Sequence, residues 1–484
     1  MSRSSRFEIA CSRVFGPLVL ALFAFVPSEV SAQTQLATTV QLPSYGVAID
    51  ADGTLRAVAV GDPTGALTAA RAMAAKRTLP GDLAEPTELR VVSLRRLNEA
   101  LERGEEAGAD TVDPAALHLA GLLSIRYVCV AEKSGDEPGD VLLAGPAEGW
   151  FDDLTGRSIG ITSGAPTLLL EDLATALAAY PAKGDRAAYV GCTINPRIEN
   201  LARFQAYQRT IPHMVPQAQR AAAADSLRRG VAESLGLADI RTFGVEPTTH
   251  LARTLIEADY RMKSIGVGLE PPPVRMATYA SVLGGSDPGL VRWWFEPEYE
   301  RLRVDEAKLS LEAVGAGLKL SAEEKRIGPD GVLVASTEQP SAAAKRYADS
   351  FTTHYARVAQ ASPVYAEMRN AVELLVAAAF LSMHGGYERS GASLDAIIAA
   401  GEKLSEKHVA PTQVPCVANA FWKGARLIIP AGGGVSIEPL RALEENNLAP
   451  FEDPDAVRKR VGEPAADDAW WWNAEPAAPV RSRR

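Results

Sequence analysis

The alternation of hydrophobic and polar positions is sharpest over residues 246–273, EPTTHLARTLIEADYRMKSIGVGLEPPP. Leu251, Leu255, Ala258, Met262 and Ile265 recur at steps of four, three, four and three residues, which aligns them on one face of a helix. The charged residues fall elsewhere on that helix. Arg253, Glu257 and Arg261 follow one another at i to i+4, as do Asp259 and Lys263, so an outward face knit by ion pairs is expected. Pro271, Pro272 and Pro273 stop the helix, since proline removes a donor and clashes with the preceding turn.

Upstream, residues 45–60 alternate around an Asp-Ala-Asp-Gly turn and predict a hairpin. Asp50, Asp52 and Gly53 resemble the start of a calcium loop, but the third acid and the closing glutamate are missing, so the hairpin stands. Helices are expected at 64–76, 93–103 and 114–123, the last opened by Asp113-Pro114, with strands at 125–131 and 141–144. A second hairpin over 145–164 leads into a helix at 168–179, and a strand at 187–194 precedes a helix to 208 capped at Asn195-Pro196. An alanine-rich helix at 217–234 and a strand at 240–245 follow.

Downstream, short alternating segments at 291–295, 299–304, 309–314, 317–320 and 332–335 predict an antiparallel sheet. Helices are expected at 341–360, 363–384 and 393–407, the middle one with the buried run AVELLVAAAFLSM around Glu373, and a strand at 421–430. The whole is α+β: a mixed α/β part over 33–210, the central helix and antiparallel sheet over 211–336, a helical part over 337–448, and a tail over 449–484 too rich in Pro, Ala and acid to fold alone.

Residues 1–32 stand apart from this pattern. Arg3, Arg6 and Arg13 precede an apolar run over 14–26, and Val30-Ser31-Ala32 supplies the small residues of a cleavage site, so an export signal leaving Gln33 as the first residue is expected. That places the product in the periplasm or outside the cell, with no transmembrane span once the signal is gone. The formal charge of the 484-residue chain is −10, which removes the electrostatic case for nucleic-acid binding. Cys129, Cys192 and Cys416 follow the signal. They allow one disulfide or three thiols, and the apolar runs around Cys129 and Cys192 favour buried thiols.

Candidate chemistry is sparse. No two of the six histidines lie three or four residues apart and no Cys-x-x-Cys occurs, so neither a metal nor a cofactor is expected. Cys192 ends a strand before a helix whose N-terminus would lower a thiol pKa, with His213 or His250 as base. The competing reading is a packed thiol behind the cap, and for His250 a surface imidazole. Glu257 and Asp259 form a possible acid pair, yet residues two apart on a helix do not face each other. Trp293, Trp294 and Arg261 are the ligand-binding candidates, although one indole of the pair is expected in the core. Trp470, Trp471 and Trp472 form a possible docking segment toward a partner, or else adhere to the parent chain.

Five segments carry a family likeness: RYVCVAEKSGDEPGDVLLAGPAEGWF from Arg126, GCTINPRIENLARFQAY from Gly191, ADYRMKSIGVGLE from Ala258, RWWFEPEYERLRV from Arg292 and PVYAEMRNAVELL from Pro363. In these the chain resembles a planctomycete-type family of secreted proteins known only as a domain of unknown function. The resemblance implies an exported protein of a bacterium with an elaborate envelope, and it carries no catalytic residue across. The leading expectation is a non-catalytic envelope or periplasmic binding or scaffold protein, its partner an envelope protein or polymer. The alternative is a secreted hydrolase built on Cys192 and a histidine.

Overall fold

The structure is a computed structural model that describes residues 44–108, 111–211, 215–284, 290–315, 317–327, 333–335, 339–406, 408–421, 426–451, 456–461 and 471–472. Residues 1–32, where an export signal is expected, His213 and Trp470 lie outside the described residues.

Helices and mixed sheets share the chain, which is α+β. The first hairpin forms as its alternation predicts, Ser44–Ile49 pairing with Leu55–Val60. Its turn is tied by Asp50 Oδ1, which accepts the backbone N–H of Thr54 at 2.8 Å and of Asp52 at 3.1 Å, so this acid caps a turn. Gly53 sits at φ 73°, where a side chain would be strained and would also strike Thr412 Oγ1.

Two large sheets take up most of the remaining strands. The first runs Leu333–Ala335, Leu318–Ile327, Leu290–Pro297, Arg426–Ile437, Val190–Pro196, Leu237–Phe243 and Gln413–Pro415, with Asn419–Phe421 added beside Arg426–Ile437. The second runs Leu448–Pro450, Arg301–Val304, Ser310–Val314, Tyr127–Ala131, Asp140–Ala147 and Thr87–Ser93. The middle strands therefore do not form the single antiparallel sheet that their alternation predicts. Leu290–Pro297 pairs antiparallel with Leu318–Ile327 in one sheet, while Arg301–Val304 and Ser310–Val314 pair in the other. Leu290–Pro297 is also parallel to Arg426–Ile437, a strand more than a hundred residues away. Alternation specifies which side of a strand is apolar, and partner choice is decided by remote segments. Strands from the expected parts 33–210, 211–336 and 337–448 share the first sheet.

The central helix forms at His250–Gly266. Thr249 caps it by accepting the Ala252 N–H at 3.2 Å, and Gly268 at φ 78° follows its end. Its five apolar residues are fully buried. Its charged face is not outward: Glu257, Asp259, Arg261 and Lys263 are each 3 % exposed or less. The helix packs on strands Val190–Pro196 and Arg426–Ile437 and also against the helix Pro363–Met383, with Leu170–Ala179 alongside. A helix covered on several sides has no solvent face for its polar residues, so the pairs Arg261–Glu257 and Lys263–Asp259 close inside the protein, at 3.1 and 2.6 Å.

The helix Pro363–Met383 is buried along nearly all its length, and its Glu373 accepts the Ile125 N–H at 2.7 Å. No helix among the described residues is long and apolar enough to cross a membrane. Trp293 is fully buried and meets Tyr279 and Tyr347 edge-on at 5.3 and 5.2 Å, while the Arg292 guanidinium lies 3.6 Å over the Trp294 ring. Trp293 is thus a core indole, while Trp294 is half-buried with Nε1 donating to Glu323 at 3.1 Å.

The tail, in its described part, is packed. Val457 and Val461 join Tyr127 and Cys129, and Trp471 and Trp472 are 8 % and 7 % exposed. Trp472 Nε1 donates to Asp82 and the Trp471 carbonyl accepts the Ser93 N–H. These two indoles adhere to their own chain, the second of the two alternatives that the sequence leaves open for them. Burying two indoles against the second sheet is a large apolar gain, larger than a loose tail could forgo.

Candidate functional site

A cleft of about 390 Å³ opens beside the N-terminal half of the central helix. His250, Arg253, Thr254 and Glu257 line it at i, i+3, i+4 and i+7, one helical stripe separate from the apolar one. The second hairpin, Trp150–Asp152 with Ser158–Gly160, supplies the opposite lip, and the ends of three further helices bring Glu171, Glu367 and His408.

Arg157 forms the floor. Asp153 Oδ1 gathers the Thr155 and Arg157 N–H groups at 2.7 and 3.0 Å around Gly156, which sits at φ 83°. The turn so fixed aims the guanidinium inward. Its Nε donates to Glu367 at 2.9 Å, Nη2 to Glu257, and Nη1 to the Tyr45 carbonyl at 3.3 Å and Thr155 Oγ1 at 3.1 Å. Burial works against this charge, and Glu367 and Glu257 more than offset it, holding Arg157 above the usual arginine value. Burial also opposes the Glu367 carboxylate, but Arg157 and then His250 keep it below the usual range. Arg261, a ligand candidate from the sequence, is a second strut: it binds Glu257, Glu270, the Tyr45 carbonyl and Ser362 Oγ, and is 3 % exposed. Its donors are committed to the protein interior.

His250 is not the surface imidazole that its helix position implies; its side chain is 14 % exposed. Nδ1 donates to Asp172, 2.9 and 3.1 Å from the two carboxylate oxygens, and Nε2 has no hydrogen-bond partner among the described residues. Burial works against the imidazolium, yet Asp172, followed by Glu367 and Glu171, pushes the pKa up to about 9. The ring is thus protonated at neutral pH. A folded-state value of about 9 against an ordinary 6.5 means that this charge contributes stability in full below pH 6.5 and loses it as pH rises through 9. The contribution is about 3 kcal/mol at most. In Asp172→Asn the His250 titration followed by NMR is expected to drop from about 9 to near 6.5 or below, flattening the stability profile between those pH values. A titration still near 9 would show that Asp172 is not the cause.

The other two histidines are neutral. Arg253 Nη1, which can only donate, lies 2.8 Å from His408 Nδ1, so the His408 proton sits on Nε2 and points to Glu171 Oε2 at 3.3 Å. Burial, then the Arg253 charge, lowers the His408 pKa. His118 rests against Trp150 at 5.1 Å between ring centroids, with Nδ1 3.3 Å from Thr167 Oγ1, and burial takes its pKa down to about 4. Glu171 and Asp172 are consecutive in the first turn of Leu170–Ala179, and their roughly 100° separation lets one reach His408 and the other His250.

Cys192 is elsewhere. It is fully buried in the strand Val190–Pro196, and burial, with Asp259 next, pushes its thiol well above the usual range. The expected helix N-terminus is not beside it. Asn195 continues the strand, paired with Asp239, and the helix starts at Ile198 after Arg197, which makes no side-chain cap. Cys192 and His250 are therefore not brought together in the cleft, and His213 lies outside the described residues. Cys129, Cys192 and Cys416 are all free thiols. Of the candidates raised from the sequence, His250 and Glu257 line the cleft, while Asp259 does not. Arg157, Glu171, Asp172, Glu367 and His408 were missed. The one local signal was the acidic pair opening a helix at Glu171-Asp172.

Comparison with known proteins bears on the central helix. Residues 192–279 match the family model "Protein of unknown function (DUF1598)". Neither curated proteins nor solved structures provide a match. The DUF1598 stretch contains the ADYRMKSIGVGLE segment and nearly all of GCTINPRIENLARFQAY. It contributes the helical stripe from His250 to Glu257, whereas Arg157, Asp172, Glu367 and His408 come from outside it.

Proposed function

We propose that the protein is an exported, non-catalytic binding protein of the cell envelope whose cleft takes a small polar solute. The supporting observation is the state of the charged groups around a cleft of about 390 Å³. Arg157, Glu257, Asp172 and His408 already have fixed partners on the protein, so the walls hold their shape without a ligand. What is left to meet a solute is a rim of unshared donors and acceptors. The His250–Asp172 pair favours a second reading, general acid–base chemistry through Nε2, because a carboxylate on Nδ1 is how an imidazole is oriented for proton transfer.

A screen of neutral, cationic and anionic polar solutes against the purified full chain tests the binding reading. A true ligand at a hundredfold excess over Kd is expected to raise Tm by about 2–5 °C. Ser158→Trp, at the lip of the cleft, is expected to abolish the rise. No rise with any solute, or one unaffected by the tryptophan, would remove the reading. Export is checked by N-terminal sequencing of the product from its native cell, with Gln33 expected first.

A further inference from the structure

We infer that the solute is a small, neutral, polyhydroxylated molecule of sugar type, held by its hydroxyls between His250 Nε2 and the carboxylates of Glu171 and Glu367. This rests on the binding reading above and specifies its ligand.

The chemistry of the rim selects the class. His250 Nε2–H is a donor without a partner among the described residues. Glu171 uses Oε2 for His408 and Glu367 uses Oε2 for Arg157, so each keeps its Oε1 as an acceptor. A carboxylate or phosphate ligand only accepts, and it would meet Glu171 and Glu367. An ammonium ligand only donates, and it would meet the His250 imidazolium and the Arg253 guanidinium. A hydroxyl does both, and a ring carrying several of them satisfies donor and acceptor walls at once without bringing charge.

The apolar part of the lining fits the same class. Leu117, Leu169 and Leu404 face the cleft together with the neutral ring of His118, giving flat surface for the C–H faces of a sugar ring. The protein side needs no rearrangement to present these groups. Arg157 fixes Glu367, His408 fixes Glu171, and Asp172 fixes the orientation of the protonated His250 ring, so that Nε2–H points into the cleft side of the pair.

The test uses the full chain labelled with 15N-histidine, and follows the His250 ring nitrogens by NMR. The probes are a pool of neutral mono- and disaccharides and polyols, then succinate as an anion and putrescine as a cation. At least one neutral sugar is expected to move the His250 signals saturably, with succinate and putrescine leaving them in place. Glu171→Ala is expected to weaken that sugar at least tenfold while Tm without ligand changes little, since Glu171 sits at the rim. Saturable binding of succinate or putrescine in place of sugars overturns this inference and leaves the binding reading intact. An unchanged affinity in Glu171→Ala also overturns it. If no probe moves His250 and the thermal screen is equally silent, the binding reading itself fails.

Discussion

Arg157→Met is expected to lower the stability of the folded chain by about 3–5 kcal/mol, the cost of leaving buried carboxylates without their cation. Glu257 and Glu367 have side chains only 4 % and 8 % exposed, and Arg157 is shared between them. Glu257 keeps Arg261 after the substitution, so the loss falls mainly on Glu367. The pH dependence identifies the cause. Arg157 holds the Glu367 pKa below its usual 4.5, so the pair contributes stability above that pH and loses it as pH falls through the folded-state value. With Arg157 gone, burial dominates and Glu367 titrates upward, so the variant should weaken as pH rises from about 4.5 toward 8. Adding Glu257→Gln and Glu367→Gln to the methionine should recover most of the loss. Urea unfolding at pH 5 and pH 8 measures both effects, and a single-variant loss under about 1 kcal/mol would show that the strut is not what holds this floor.

Lys263→Met should cost about as much, for a different pair. Asp259 is fully buried, Lys263 Nζ lies 2.6 Å from its Oδ2, and Oδ1 has no partner among the described residues. Burial already raises the Asp259 pKa, with Lys263 the main opposing influence. An acid whose folded-state pKa is raised costs stability as pH climbs above its ordinary 3.8, so the variant should weaken steadily from pH 4 to pH 8, more steeply than the parent. The double replacement Lys263→Met with Asp259→Leu should be within about 1 kcal/mol of the parent or more stable, because two apolar side chains avoid desolvating two charges. A double variant as unstable as the single one would mean that packing on strands Val190–Pro196 and Arg426–Ile437 sets the cost, with ionisation secondary.

The same charged residues show how far the sequence could be read. The i to i+4 spacing of Glu257 with Arg261 and of Asp259 with Lys263 is local, and both pairs form. Where that face points is not local. The surface placement expected for it was overturned by two layers, a sheet built partly from residues 426–437 and a helix from 363–383, that close over the helix from far along the chain. The floor residue Arg157 illustrates the other limit. Its turn is visible in the Thr155-Gly156 pair, but its partners are 100 and 210 residues away, and no periodicity links them. The tryptophans near the C-terminus were legible as sticky, and only the packed structure shows Trp471 and Trp472 attached to Ser93 and Asp82.

By itself the sequence determined the helices with a clear apolar stripe, the turn chemistry at Asp50 and Gly53, the α+β class and the local ion pairs, because each depends on neighbours within one or two turns of chain. Tertiary structure alone decided the division of the middle strands between two sheets, the burial of the charged helix face and the assembly of the cleft. Those outcomes depend on which distant segments exclude water from which side chains, and a buried charge is stable only where the fold delivers an opposite charge to the same place.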